Sequence, residues 1–412
     1  MPVLVMKFGG TSVATLDRIK RAAKRVGLEV AKGYDVIVIV SAMSGKTNEL
    51  VGWVNETSPL YDAREYDAVV SSGENVTAGL MALTLQEMDI PARSWQGWQV
   101  PVKTTSAHSS ARIEEIPSEN ITTKFNEGMR VAVVAGFQGV SPEGRITTLG
   151  RGGSDTTAVA FAAAFEAERC DIYTDVDGIY TTDPRIAEKA RKLDKISFEE
   201  MLELASLGAK VLQTRSVELA MRYKVKLRVL SSFEEPSDEA GTLVCAEEEI
   251  MESNVVSGIA YSRDEAKMTL VSVEDRPGIA AAIFGPLSDA GVNVDMIIQN
   301  IGEDGRTDMT FSCPTDQVLR AQKALDASKA SGDLNYVDLI SDTNVAKVSA
   351  VGIGMRSQSG VAAKMFKTLS DEGINIKVIA TSEIKISVLI DRKYMELAVQ
   401  ALHDAFELEK AS

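Results

Sequence analysis

Histidine is nearly absent from this chain: His108 and His403 are the only two. His403 falls in the last helical segment and His108 in a polar loop. Neither has a nucleophile within reach along the sequence, so histidine-based acid–base chemistry is set aside. Cysteine is almost as scarce. Cys170, Cys245 and Cys313 are scattered and odd in number. That fits a reducing compartment with buried thiols better than a disulfide scaffold or a zinc site. Long apolar runs are also missing. None approaches the roughly 20 residues of a membrane helix, and the apolar start from Pro2 to Met6 ends at Lys7, too soon for a signal peptide. Positive charge is in deficit, with 44 Lys and Arg against 59 Asp and Glu and a net charge of −15. This argues against a broad nucleic-acid or anionic-membrane surface. The expected setting is soluble and cytoplasmic, and an anionic ligand would need positive charge gathered locally.

What is present is strand–helix alternation. Val3–Phe8 reads as a buried strand, broken by Gly9-Gly10. From Thr11 to about Lys32, Val13, Leu16, Ile19, Ala23, Val26 and Val30 recur at helical spacing. Asp35–Val40 reads as a strand buried on both faces, as in a parallel sheet. A long helix is expected over Asp67–Met88, and further strands at Arg130–Val134, Ile146–Thr148, Cys170–Thr174 and Lys226–Leu230. An alanine-rich helix is expected over Ser154–Phe165. The pattern predicts an open, mostly parallel α/β sheet sandwiched by helices, with ligands outside the carboxyl ends of the strands. An acidic, turn-like stretch over residues 233–254 marks a domain boundary, giving a first domain of residues 1–245.

The remainder holds an internal repeat. Gly278, Phe284, Leu287, Ser288, Asp289, Gly291 and Asn293 recur as Gly360, Phe366, Leu369, Ser370, Asp371, Gly373 and Asn375, at constant offset. Each copy reads βαββαβ, but the second ends one strand short. The strand-like stretch Asn254–Tyr261 precedes the first copy and is expected to complete the second. Two interlaced ferredoxin-like domains follow, over residues 263–342 and 343–412.

Several loops carry candidate chemistry. Strand–Gly-Gly–helix at residues 3–15 aims bare backbone N–H groups and a helix end at one point, an anion site. Lys7 adds an ammonium there, although such a turn also serves structure alone. Gly150–Thr157 repeats the device. Arg151 offers a fork suited to a carboxylate, and Asp155 either caps the helix or orients Lys7 and Lys210. Ser41–Thr47 ends like a Walker A loop, but Val40 stands where the first glycine belongs; Ser41 and Thr47 could still bind a carboxylate or cap a helix. Glu74, beside Gly73, is either a solvated residue at a kink or a carboxylate facing an amino group. The long polar loop Tyr173–Arg185 follows a strand end and could wrap a base and ribose, with Asp177 or Asp183 near a metal; a calcium loop competes, without EF-hand spacing. Lys210, in Gly208–Leu212, is either solvated or a second cation for a phosphoryl group.

Together these motifs resemble a known family. KFGGTS at 7–12, VSSGE at 70–74, TTLGRGGSD at 147–155, YTDVDGIYTTDPR at 173–185 and GAKVLQTRSV at 208–217 resemble aspartate kinases of the amino-acid kinase superfamily, and the repeat resembles their paired ACT domains. The resemblance spans essentially the whole chain. It implies that ATP, carried with Mg²⁺, phosphorylates the side chain of L-aspartate to 4-phospho-L-aspartate, the first step towards lysine, threonine and methionine. Lys7, Asp155 and Lys210 would be catalytic. Phe8, Gly9, Gly10, Tyr173, Thr174, Asp177, Tyr180, Asp183 and Arg185 would serve ATP beside the two lysines. Ser41, Thr47, Glu74, Arg151, Gly152, Gly153 and Ser154 would hold aspartate. No dedicated protein metal site is expected. Lysine and threonine would be effectors at two pockets. One comprises Asp275, Gly278, Ile279, Ala280, Asn293, Val294, Asp295 and Gln299, the other Val361, Ala362, Asn375, Ile376, Thr381 and Ser382. The second departs from the family, with Ser359 where proline is frequent and uncharged Ser357 opposite Asp275. Unpaired sheet edges predict a homodimer or larger, and Met251 could open a separately translated regulatory subunit. Two alternatives stand beside this reading: a sister kinase for another carboxylate, and an amino-acid sensor with an inactive kinase half. Lys7, Glu74, Arg151, Asp155 and Lys210 argue against the second.

Overall fold

The run VLVMKF at Val3–Phe8 is almost wholly buried, so both faces of that strand must be covered. A computed structural model describes residues 1–207, 211–235, 241–250, 254–300, 305–356 and 358–410. Its residues group into two compact units, Met1–Ile179 with Lys192–Met251, and Tyr180–Arg191 with Glu252–Ser412.

Among the described residues, the first unit is built on an eight-stranded sheet. Val3–Phe8, here β1, lies centrally between Asp35–Val40 (β2) and Cys170–Thr174 (β3), parallel to both. Beyond β2 come Val131–Ala135 (β4) and then Ala92–Trp95. Beyond β3 come Leu227–Ser231, antiparallel Thr242–Cys245 and Lys195–Ser197. The chain first builds outward on the β2 side and later returns to the β3 side. β1 is therefore the switch point, where the strand ends leave a crevice.

Period-two alternation sends side chains to opposite layers. Leu4, Met6 and Phe8 join Val36, Val38 and Val40 against the helices Leu16–Ala31 (α1) and Ser72–Glu87 (α2). The opposite layer includes the alanine-rich helix Gly153–Ala164 (α3), whose residues 153–162 are buried throughout. Lys7 is on that face. The single helix expected over Asp67–Met88 is instead two, Ala63–Val70 and α2, parted at Ser71. A Cβ on Gly73 would lie 2.8 Å from that of Ala42; the break brings the backbone that close.

In the second unit, six strands form one sheet among the described residues. Two of them are long. Gly258–Glu274 and Asp338–Val351 run antiparallel, pairing 258–262 with 347–351 and 267–271 with 338–342. The strand expected at 254–261 therefore runs without a break into the opening strand of the first copy, and the last strand of the first copy runs into the opening strand of the second. Helices Ile279–Asp289 and Val318–Ser331 cover the core of one half, and Val361–Asp371 and Met395–Ala405 that of the other.

The boundary expectation of an unbroken first domain over 1–245 differs from this division. Residues 180–191 pack with the second unit. Ile186 enters a core with Val256, Ile259, Val361 and Leu369, and Ile259 N donates to Thr181 O at 2.7 Å. Apolar burial at Ile186, not visible in a polar loop sequence, carries the segment there.

Candidate active site

Lys7 ends the inward-facing row of β1 and meets Asp155 in the first turn of α3, Nζ to Oδ1 at 2.5 Å. Both side chains are about one-tenth exposed. The approach is ionic rather than directed, because Oδ1 makes no aligned hydrogen bond. The ammonium lies across bare backbone: a Cβ on Gly9 would be 3.3 Å from Lys7 Nζ. Gly152, not Asp155, is the N-cap of this helix, and the Asp155 carboxylate faces Lys7. It holds a cation at the mouth of the switch-point crevice, beside the positive end of α3.

The second segment follows β2. A Cβ on Gly10 would lie 3.0 Å from Ala42 O, so the Gly-Gly turn rests on residues 41–44. Ala42 N donates to Glu74 Oε1 at 3.1 Å. Glu74 is only 3% exposed and its Oε2 is buried without a partner. Burial raises this carboxyl to about 7, against a smaller opposing pull from the Ala42 N–H. A desolvated carboxylate with an unused oxygen is suited to receiving a cation. Ser41 and Thr47, on either side of Ala42 in the chain, are both half-buried.

The third segment follows β4. A Cβ on Gly136 would come within 3.0 Å of Ser154. Phe137 has φ 69° and presses on Gly153, where a Cβ would meet its ring at 2.7 Å. Its N–H donates to Thr157 Oγ1 at 3.1 Å. Phe137 therefore shapes the glycine loop of residues 150–153, a role missed in the sequence; the signal was a Gly-Phe pair directly after a buried strand. Arg151 is exposed and has no ion pair among the described residues. Gly152, at φ 72°, begins α3 under Gln213.

The long loop divides in two. Tyr173 is buried, its ring stacked on Phe8 at 4.7 Å beneath the Arg25 guanidinium, and burial pushes its phenol up. Its carbonyl accepts from Gly9 N at 3.2 Å, so its ring lies in the core and its backbone holds the glycine turn. Thr174 Oγ1 donates to Asp175, and Asp177 pairs with Lys192 at 3.2 Å. Tyr180, Asp183 and Arg185 fall in the second unit. There Asp183 accepts from Arg185 Nη2 and Tyr261 Oη, each at 2.8 Å, and Arg185 holds its carboxyl down at about 2. Lys210 lies outside the described residues, as do Met251 and Ser357.

Both histidines have partners that spacing did not reveal. His403 is fully buried and contacts Thr181 Oγ1 through Nε2 at 2.9 Å. His108 Nδ1 lies 2.7 Å from Asp67 Oδ2. Among the described residues no three His, Cys, Asp or Glu side chains converge as metal ligands, and no helix is long and apolar enough to cross a membrane.

The two halves of the second unit place their candidate effector residues alike. Gly278 (φ 90°) and Gly360 (φ 99°) each open a helix, leading into Ile279-Ala280 and Val361-Ala362. Asp275 lies beside Gln299, Oδ1 to Nε2 at 3.4 Å, and Asn293 N donates to Gln317. Val294 precedes the exposed Asp295, whose carboxylate pairs with buried Lys347 at 2.9 Å. In the other half Asn375, Ile376, Thr381 and Ser382 line the start and end of the strand Ile376–Thr381, and neither Thr381 nor Ser382 carries charge.

Comparison with known proteins gives this arrangement a lineage. The amino acid kinase family model matches residues 2–231, and two ACT domain models match 267–329 and 348–406. The aspartokinase of Pseudomonas aeruginosa is 54% identical over 411 residues, covering 99% of this chain and 98% of that protein. That of Helicobacter pylori strain J99 is 47% identical over 413 residues, covering 99% and 100%. The crystal structure of E. coli aspartokinase III in complex with aspartate and ADP matches with a TM-score of 0.81 at 29% identity, over 98% of this chain and 99% of that one. With an amino acid kinase domain followed by two interleaved ACT units, the chain belongs to the amino acid kinase family, in its aspartokinase branch.

Proposed function

We propose that this kinase transfers the γ-phosphate of ATP to the side-chain carboxylate of L-aspartate, giving 4-phospho-L-aspartate, the entry to lysine, threonine and methionine synthesis. The observation that carries the reading is the Lys7–Asp155 pair above Gly9, beside the buried Glu74. The aspartate and ADP found in the E. coli relative support both ligands.

The chemistry asks little of an acid or base. The attacking carboxylate is ionised at neutral pH, so the scarcity of histidine is no handicap. The work is alignment of two anions and relief of their charge. Lys7 and the backbone of Gly9 and Gly10 hold the phosphates, Asp155 keeps Lys7 aimed, and Lys210 is assigned the second cation. Glu74 takes the substrate ammonium and Arg151 its α-carboxylate, with Ser41, Thr47 and the Gly152–Ser154 backbone completing the pocket. Magnesium would travel with the nucleotide, whose phosphate oxygens are the hard ligands it favours.

The ACT halves are assigned lysine and threonine as effectors. The E. coli relative has been crystallised with lysine and aspartate. Ile297 and Ile379, exposed on the outer strands of the ACT sheet, support pairing of two chains there.

The test is an incubation with ATP, Mg²⁺ and L-aspartate, with hydroxylamine to trap an acyl phosphate. Trapped product is expected with aspartate and not with glutamate or acetylglutamate. Its absence with aspartate refutes the reading. Repeating the assay with lysine, threonine and both together assigns the effectors.

A further inference from the structure

Asp67 lies on the helix before the Ser71 break and is wholly buried, yet it needs no lysine or arginine partner. Three donors satisfy it. Thr148 Oγ1 lies 2.6 Å from Oδ1, Ser109 N lies 3.1 Å from it, and His108 Nδ1 lies 2.7 Å from Oδ2. With its proton on Nδ1, His108 donates a charge-assisted hydrogen bond.

The donors come from two places that matter to the site. Thr148 ends the strand leading into Gly150 and Arg151. Ser109 and His108 belong to a loop sewn to that same strand end: Ala111 N donates to Thr148 O at 2.9 Å, and Arg215 donates to both Leu149 O and Ala111 O. At Gly150 a Cβ would be 3.3 Å from Ser109 O. Asp67 lies one turn before the end of its helix at Val70, and Glu74 lies in the first turn of the next helix, just past the Ser71 break. Gln138 ties the intervening turn, donating to Ser71 O and Asn75 Oδ1. One buried carboxylate therefore fastens the approach to Glu74 and the approach to Arg151.

We propose that Asp67 and His108 form a positioning pair that sets the distance between Glu74 and Arg151, and so the fit of the amino-acid substrate. The inference rests on the assignment of those two residues to the substrate's ammonium and α-carboxylate. Among the described residues, the hydrogen bonds of Asp67 and His108 run to each other, Thr148 and Ser109, and none to Lys7, Gly9 or Gly10, so their loss should separate the two substrates. A loop fastener without this role would lower stability and leave the two Michaelis constants in proportion.

The experiment uses the full chain and compares wild type with His108→Ala, His108→Asn and Thr148→Val. His108→Ala is expected to raise the aspartate KM roughly tenfold, the scale of one lost charged hydrogen bond, with the ATP KM within about twofold. His108→Asn, which keeps a donor near the Nδ1 position, restores most of the affinity. Thr148→Val breaks the link from the Arg151 side and gives the same split; it decides the matter if His108→Ala does not fold. Equal changes in both KM values, an unchanged aspartate KM in both variants, or no rescue by asparagine overturns the pair. A wild type that forms no acyl phosphate from aspartate overturns the pair together with the reading beneath it. An active wild type with unaltered variants overturns the pair alone.

Discussion

Lowering the pH from 8 to 6 should weaken aspartate binding about tenfold, and Glu74 should be the cause. Burial lifts this carboxyl to about 7, and only its ionised form can accept a substrate ammonium. The ionised fraction falls from about nine-tenths at pH 8 to about one-tenth at pH 6, and the apparent KM rises in inverse proportion. The side-chain carboxyl of aspartate titrates near pH 4, well below this window. Initial rates at saturating ATP, taken across pH, read the effect. Glu74→Gln should give a high aspartate KM without the slope. Stability offers an independent readout. The folded carboxyl titrates above its unfolded value of 4.5, so the native state binds the extra proton between the two, and stability is lost as pH rises through about 7. From pH 5 to pH 8 the unliganded wild type should lose about 2.5 kcal/mol relative to Glu74→Gln. A wild-type KM that stays flat across the window refutes the reasoning, as does a slope that survives in Glu74→Gln.

Lys7→Ala should lower turnover at least ~100-fold, taking one lost preorganised donor at ~3 kcal/mol; steady-state kinetics within a few-fold of wild type would remove Lys7 from that role. Gly152→Ala would drive a Cβ into Gln213, whose own Cβ would lie 2.7 Å away, at a φ of 72°. The Arg151 loop must move, and the aspartate KM should rise by at least ~10-fold, since displacements of about 1 Å can cost ~100-fold; titration of each substrate in turn shows whether ATP is spared. Gly354→Ala would bring a Cβ to 2.7 Å from Val255 Cα and 2.9 Å from Asn254 O. Both contacts are backbone and cannot rotate away, so chemical denaturation should reveal a loss of about 1–3 kcal/mol. An unchanged unfolding midpoint contradicts that packing.

Much of this molecule was legible because its signals are periodic or rigid. Asp35–Val40 is apolar enough to announce a buried parallel strand, and Cys170–Thr174 has the ends expected for it. The repeat places Gly278 and Gly360 at matching positions, and in the structure each stands directly before a helix, Ile279–Asp289 and Val361–Asp371. The Gly-Gly turn and the Gly150–Ser154 loop marked the Lys7–Asp155 corner. What stayed hidden depends on distance through space. Asp67 and His108 are far apart in sequence, and nothing local distinguishes His108 from a solvated loop residue. Tyr173 reads as a nucleotide contact by position, whereas its ring fills the core beside Phe8. Tyr173–Arg185 reads as one polar loop, yet its later part packs with the second unit, where Ile186 is buried and Thr181 bonds to Ile259 N and His403. Asp183, a candidate near metal, spends its lone pairs on Arg185 and Tyr261.

The long strands of the ACT unit bear on its history. Duplication ordinarily leaves two copies that later deletions can part again. Here Gly258–Ser262 precedes the first copy and pairs with Lys347–Val351 of the second. A chain stopped after residue 342 would bare the apolar face of Ile259 and lose the partner of its own leading strand. A chain begun at residue 343 would lack that strand altogether. Once the exchange had been made, neither copy could be dropped without exposing the other, so the pair can only be inherited, moved or lost as one piece.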